Sequence, residues 1–219
     1  MRIDLHTHSL LSDGKVLPVE LARRAEVMGH VALAITDHAD PSNLERLVPQ
    51  ILKASEEVNR SMKIRLVPGV ELTHLPPSSI GKMAKLARKL GAALVVVHGE
   101  SPVEPVPPGT NEAALNCGEV DLLAHPGFLS PQLAEKAEKE EVYLELTSRR
   151  GHSLTNGWIA RVAGGSGCRL LVNTDAHDPE DLLTQEEARK VALGAGLEKR
   201  EAERAVKENP RALLKRLGY

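Results

Sequence analysis

Aromatic side chains are nearly missing from this chain: one Phe, one Trp and two Tyr in 219 residues. A surface that binds nucleic acid by stacking bases on aromatic rings is therefore not expected. An excess of either charge is missing as well. The balance of 28 basic against 30 acidic residues gives a formal net charge of −2. That disfavours bulk attraction to a polyanion and leaves nucleic acid as a substrate only, held if at all in a local basic groove. Cysteine is scarce: Cys117 and Cys168 stand far apart, outside any CxxC pair. They are expected to be reduced, buried thiols of a cytoplasmic protein. No apolar run is long enough to span a membrane, and the first residues lack a signal-peptide core, so no membrane partner is expected. The GxGxxG turn and the Walker loop are absent too, which argues against the common nucleotide-binding folds.

What is present is a recurring alternation. Short apolar runs rich in β-branched residues lie at Arg2–His6, Val31–Thr36, Ile64–Glu71, Ala93–His98, Val120–His125, Val142–Thr147 and Arg169–Asp175. They read as strands. Between most of them lies a helix-like segment. Pro18–Met28 carries Leu21, Ala25 and Met28 on one stripe, with proline at its start and Gly29 at its end. Ile80–Leu90 repeats the pattern and is closed by Gly91. Thr184 and Glu187 form a capping box. Asn209 and Pro210 are expected as the N-cap and first residue of the last helix. Alternating strands and helices imply a parallel sheet. This many strands, in one domain spanning residues 1–219, imply an α/β fold whose sheet closes into a barrel. The stretch Gly99–Asn111, GESPVEPVPPGTN, is proline-rich and expected to be irregular. It follows the fourth strand, so it belongs at the barrel mouth and has the makings of a lid.

In such a barrel, chemistry collects at the C-terminal ends of the strands. Taken in order, those ends carry His6 and His8 with Asp13 in the following loop, then Asp37 and His38, Glu71, His98, His125, and finally Asp175 and His177. Six of the 9 histidines fall there; the others are His30, His74 and His152. One histidine at a strand end is ordinarily a hydrogen-bonded structural residue. Six converging with three carboxylates must be paired or metal-bound, because burying them free costs several kcal/mol each. Imidazole and carboxylate without thiolate suit Zn, Mn or Fe, and the carboxylates also admit Mg. The set is too large for one ion and suits two or three. His30, at a helix C-terminus, has no catalytic part in this reading. Asp37 is equally suited to orienting an imidazole or to capping the strand end. Asp4 is expected to lie a layer below the site in a structural role.

These motifs, HTH at 6–8, the loop Asp13, TDH at 36–38, GVE at 69–71, VH at 97–98, AHP at 124–126 and DAH at 175–177, resemble in order those of the PHP family, named for polymerase and histidinol phosphatase. The likeness spans essentially the whole chain and is strongest to small, stand-alone, histidinol-phosphatase-like members. It implies a (β/α)7 barrel, a distorted TIM-like fold, with up to three metals. By resemblance, His6, His8, Glu71 and Asp175 would bind the first ion. Glu71 would bridge to a second, held also by His98 and His125. Asp13, His38 and His177 would hold the third. The implied activity is hydrolysis of a small phosphate ester by a metal-bridging hydroxide, with Glu71 and Asp175 at the reacting centre. Past strand six, Arg149, Arg150 and Asn156 are candidates for gripping phosphate, and Arg149 leads because guanidinium matches phosphate oxygens in a fork. His152 is a candidate donor to the leaving alkoxide, and His74 a candidate substrate contact. Three other readings remain open: a phosphodiesterase or nuclease, an amidohydrolase, and a non-catalytic scaffold in a nucleoprotein complex. Oligomeric state is not legible.

Overall fold

A computed structural model describes residues 1–219. Seven parallel strands form one continuous path: β1 (Arg2–Asp4), β2 (His30–Ile35), β4 (Arg65–Leu72), β5 (Leu94–His98), β6 (Leu122–Ala124), β7 (Tyr143–Thr147) and β8 (Leu170–Asn173). A two-residue strand, β3 (His38–Ala39), prolongs the line of β2 and pairs His38 with Glu71 of β4. The sheet curls into a nearly closed barrel. Its seam, between β1 and β8, is joined beyond the strand ends. A parallel bridge links Thr7 to Ala176. There the Asp175 N–H donates to the His6 carbonyl at 3.0 Å, and the His8 N–H to the Ala176 carbonyl at 2.8 Å. The seam therefore lays the HTH segment alongside the DAH segment.

Helices alternate with the strands on the outside. They are α1 (Pro18–Val27), α2 (Leu44–Ser61), α3 (Pro77–Leu90), α4 (Thr110–Leu115), α5 (Pro131–Lys139), α6 (Asn156–Ser166), α7 (Gln185–Gly194), α8 (Lys199–Glu203) and α9 (Asn209–Arg216). Their buried stripes, such as Leu21, Ala22 and Ala25 on α1, pack against the outer face of the sheet. A second apolar cluster fills the barrel itself, with Ala32, Ala34 and Ala124 keeping its bore narrow. Leu213 and Leu214 of α9 join that inner cluster, and α9 packs on β1 and β8. With the interior filled, the polar groups gather at the opposite, C-terminal end of the strands. No helix is long and apolar enough to cross a membrane.

Several elements differ in extent from the sequence reading. β1 stops at Asp4, so His6 and His8 lie in the seam segment and not on the strand. β6 and β8 are likewise shorter than the apolar runs that announce them. Asn209 is not an N-cap. It is already helical, because the chain runs from α8 through a π-helical turn at Arg204–Glu208 into α9. Its side-chain amide donates instead to the Leu170 carbonyl at 2.8 Å. The widened turn tolerates Pro210, which has no N–H to offer a regular ladder. Asp4 has the structural part expected of it. It accepts from the Thr174 N–H and hydroxyl at 3.2 and 2.8 Å and pairs with the buried Arg2.

Below the seam bridge, the Asn173 carboxamide oxygen accepts the buried Leu5 N–H at 3.0 Å. Asn173→Ala strands that buried donor and also removes the amide that donates to the buried Glu145 carboxylate at 2.9 Å. The expected result is a loss of about 1–3 kcal/mol of stability, the cost of an unpaired buried group. It is checked as a lower urea midpoint at unchanged slope.

Candidate metal centre

The backbone at the barrel mouth adopts conformations that L residues rarely accept. His74, His125 and Asp175 have φ of 53°, 27° and 53°. Such strain persists only where the surroundings hold it, and it collects at functional sites. Glycine is required at two neighbouring points. A Cβ on Gly14 would fall 2.4 Å from the His8 carbonyl oxygen, and one on Gly127 would fall 1.9 Å from that of Glu100. The loop carrying Asp13 and the turn after His125 can therefore press against the site.

Eight of the nine histidines converge here, and the ninth, His30, begins β2 at the other end, bonded to the Leu183 carbonyl. His6, His8 and Glu71 are completely buried and His125 nearly so. Their inward atoms cluster. His6 Nε2 lies 3.3 Å from Glu71 Oε1 and 3.7 Å from Asp175 Oδ1. His8 Nε2 lies 3.0 Å from Asp175 Oδ1. His125 Nε2 is 3.6 Å from Glu71 Oε1 and 3.7 Å from Asp175 Oδ2. On the other side, Asp13 faces His38 Nε2 at 3.6 Å and His177 Nε2 at 3.3 Å. These separations suit atoms bound to a common ion. Ligands about 2.0–2.2 Å from a zinc-like cation sit roughly 3–3.5 Å from one another. Groups able to hold a cation are His6, Glu71 and His125; His6, His8 and Asp175; and His8, Asp13, His38 and His177. His8 thus joins two groups, where the family resemblance places it in one.

Hydrogen bonding fixes which ring nitrogen points inward. His177 Nδ1 donates to the Asp175 carbonyl at 2.9 Å, and His98 Nδ1 to the Gly99 carbonyl at 3.1 Å. His6 Nδ1 donates to Glu145 Oε1 at 2.8 Å. A neutral ring so engaged carries its lone pair on Nε2. His6 Nε2, His8 Nε2, Glu71 Oε1 and Asp175 Oδ1 are all buried with no hydrogen-bond partner. Native interiors rarely leave such atoms orphaned, and an ion is a common reason when they do.

The electrostatics agree. Burial works against a charge on His6, yet Glu145, Glu71 and Asp175 together hold its pKa well above the ordinary value. His8 and His125 go the other way, pushed well below by burial and by neighbouring imidazoles. Burial lifts Asp175 to about 7, against the pull of His6 and with help from Glu71 and Glu145. Three carboxylates therefore surround a place that calls for positive charge.

The structure sorts the remaining sequence candidates. Asp37 caps the loop. It accepts from the Ser9 N–H at 2.7 Å and from the Ser9 and Ser12 hydroxyls at 2.6 Å, and touches no imidazole nitrogen. Asn156 is spent on the backbone of Thr147, to which its side chain bonds at 3.1 and 2.8 Å. It is a clasp at the end of β7, with both ends of its amide engaged by the backbone. Arg149 pairs with Asp181 at 3.3 Å and lines an open groove with the exposed Arg150. His152 stacks on His125 with ring centroids 4.2 Å apart, and its Nδ1 meets the Ser101 hydroxyl at 2.6 Å. His74, half-exposed, points its Nε2 at Glu104, 2.9 Å away.

Two carboxylates escaped the sequence reading. Glu145 is fully buried and accepts from His6, from Asn173 at 2.9 Å and from the His125 N–H at 3.1 Å. Its signal was a lone acid inside the apolar strand YLELT, since a buried charge needs partners. Glu104, in the proline-rich loop, reaches His98, His74 and His152. The hydrogen bond from His98, together with that from His74, holds it down to about 2 despite partial burial. No periodicity or motif marks it.

Comparison with known proteins adds four findings. The sequence profile of the PHP domain matches residues 4–147. That range ends with β7, short of Asp175 and His177, which the barrel brings to the same mouth. An uncharacterized protein of Methanocaldococcus jannaschii, MJ1295, is 51% identical over 99% of this chain and 100% of its own length. The DNA polymerase/3'-5' exonuclease PolX of Bacillus subtilis is 30% identical over 82% of this chain, which spans only 35% of PolX. Among solved structures, a chain of an archaeal ribonuclease P complex with mature tRNA superposes with a TM-score of 0.74. It is 17% identical and covers 100% of this chain and 92% of its own, a likeness of fold.

Glu145→Gln keeps the shape of the His6 contact but removes its charge. Replacing such a partner of a metal-binding histidine typically costs 10–100-fold in metal affinity. The expected outcome is that loss, read by titration with Mn2+ or Zn2+, with an unchanged circular dichroism spectrum.

Proposed function

The chain belongs to the PHP domain family, and from that premise we propose that it is a metal-dependent phosphoesterase whose substrate is a small phosphomonoester. The observation that carries this reading is the set of orphaned, inward-facing atoms on His6, His8, Glu71 and Asp175. The donor set, imidazole and carboxylate without thiolate, fits Zn2+, Mn2+ or Fe2+ and admits Mg2+. His6, His8, Glu71 and Asp175 would hold one ion, Glu71 with His98 and His125 a second, and Asp13, His38 and His177 a third. Divalent ions bound there would acidify coordinated water at neutral pH and neutralise phosphoryl charge.

The chain's own residues supply the rest. Glu145 fixes the His6 ring, so that Nε2 faces inward. Ser101 fixes the His152 ring beside His125. His152 is thereby positioned to give a proton to a leaving oxygen; the ring itself is buried, and its Nε2 lies 3.2 Å from the partly exposed Glu104 carboxylate. Arg149 would grip phosphate by exchanging its Asp181 partner, which is close and half-exposed. The fully buried inner groups suit a terminal phosphate that enters end-on.

A second reading also has support among the relatives. The similarity to PolX, named as a 3'-5' exonuclease, favours a terminal phosphodiester of a nucleotide or short strand. The same residues serve it. A scaffold without chemistry would not need to retain all nine histidine, aspartate and glutamate positions of the expected set, and they converge here.

The test is a chelated sample and samples reloaded with Mn2+, Zn2+, Fe2+ or Mg2+. Each is assayed on phosphomonoesters, a bis-aryl phosphodiester and short oligonucleotides. Phosphomonoester hydrolysis is expected only after reloading. Turnover that survives full chelation would overturn the metal-dependent mechanism, and activity confined to diesters would select the second reading.

A further inference from the structure

The expected ligand set does not include Glu104, yet its carboxylate sits against three of the site's imidazoles. Oε2 lies 3.1 Å from His98 Nε2 and 2.9 Å from His74 Nε2, and Oε1 lies 3.2 Å from His152 Nε2. His98 Nδ1 meets the Gly99 carbonyl at 3.1 Å, so it is Nε2 that faces Glu104, where either a proton or a cation can join the two atoms. His74, His98 and Glu104 form a group spaced to hold a cation, and so do His98, His125 and His152. Both groups contain His98.

Glu104 also approaches from a distinct side. Its side chain is 37% exposed, against 2% for His98. With His74, which is 36% exposed, it forms the solvent-facing side of the cluster, where a ligand arriving from outside would meet it first. The loop that carries it is built to hold that place. Pro102, Pro105, Pro107 and Pro108 restrict its backbone, which lowers the entropy lost on ordering it. Its base is stapled. Glu100 Oε1 accepts the Gly109 and Asn111 N–H groups at 3.0 and 2.9 Å, and the Asn111 amide donates to the Pro126 carbonyl at 2.9 Å. Between these staples the tip is mostly exposed.

We propose that Glu104 is a loop-borne ligand for the cation at His98, occupying from the solvent side the coordination place that a phosphate oxygen takes when substrate binds. The proline-rich loop is then a strap with an internal anion at its tip. Substrate enters by exchanging phosphate for the Glu104 carboxylate, and the strap closes the centre again when product leaves. His74 holds the carboxylate in its resting position. This inference rests on the phosphoesterase reading for the identity of the competing anion, and on geometry alone for the ligand.

Glu104→Gln keeps the side-chain shape and removes the charge. Its ion affinity is measured by calorimetric titration with Mn2+, and its affinity for inorganic phosphate at saturating Mn2+. The expected result is that one class of Mn2+ site weakens tenfold or more while phosphate binds several-fold more tightly than to the wild type. A Mn2+ isotherm superimposable on the wild type overturns the ligand assignment. Phosphate affinity that is unchanged or weaker overturns the exchange. Should Glu104→Gln fail to fold by circular dichroism, Glu104→Asp, which retains the charge on a shorter arm, is judged by the same two readouts and is expected to shift both in the same directions. Both readouts are of binding. A Mn2+-loaded protein that hydrolyses no phosphate ester therefore contradicts the proposed function while the ligand assignment still stands or falls on the titrations.

Discussion

Glu71, Glu145 and Asp175 are buried together at the mouth of the barrel, and that concentration of negative charge away from water governs the rest of the structure. Removing one carboxylate from water costs several kcal/mol even after relaxation. Three near one point are tolerable only with compensating positive charge. The imidazoles around them provide the means: His6 is pulled toward the charged state, while His8 and His125 are held neutral by burial. A cation bound between them resolves both demands at once, since it neutralises the carboxylates and accepts the imidazole lone pairs.

The fold serves that arrangement. A filled barrel core, with α9 packed on β1 and β8, leaves the C-terminal strand ends as the place where polar groups can gather. The seam between β1 and β8 is joined by backbone bonds that flank Asp175 and His8 themselves. Closing the barrel and assembling the site are thus one event. Positive φ at His125 and Asp175 is the local cost of turning those side chains inward, offset by the surrounding hydrogen bonds.

Much of this was legible in the sequence, for identifiable reasons. Strand–helix alternation announced the barrel, and the strand ends lined up His6, His38, His98, His125 and His177 because a barrel directs those ends to one mouth. The structure brings all nine expected ligand residues there. Whether each binds an ion is a property of a loaded protein that no pattern of residues contains. The misses follow from what pattern cannot encode. Helix α2 runs for 18 residues with Pro49 inside it, so its breaker masked its amphipathic stripe. Asn156 carries a substrate-like side chain, but tertiary contact commits it to the Thr147 backbone. Glu104 lies in a loop without periodicity, and only the folded chain shows how far that loop reaches over the mouth.

The most direct test is a crystal grown with Mn2+ and measured for anomalous scattering. Peaks should lie within bonding distance of His6 Nε2, His8 Nε2, Glu71 Oε1 and Asp175 Oδ1, with at least one further peak against His98 and His125 or against Asp13, His38 and His177. An empty mouth, with those imidazoles protonated and hydrogen-bonded directly to the buried carboxylates, would contradict the account.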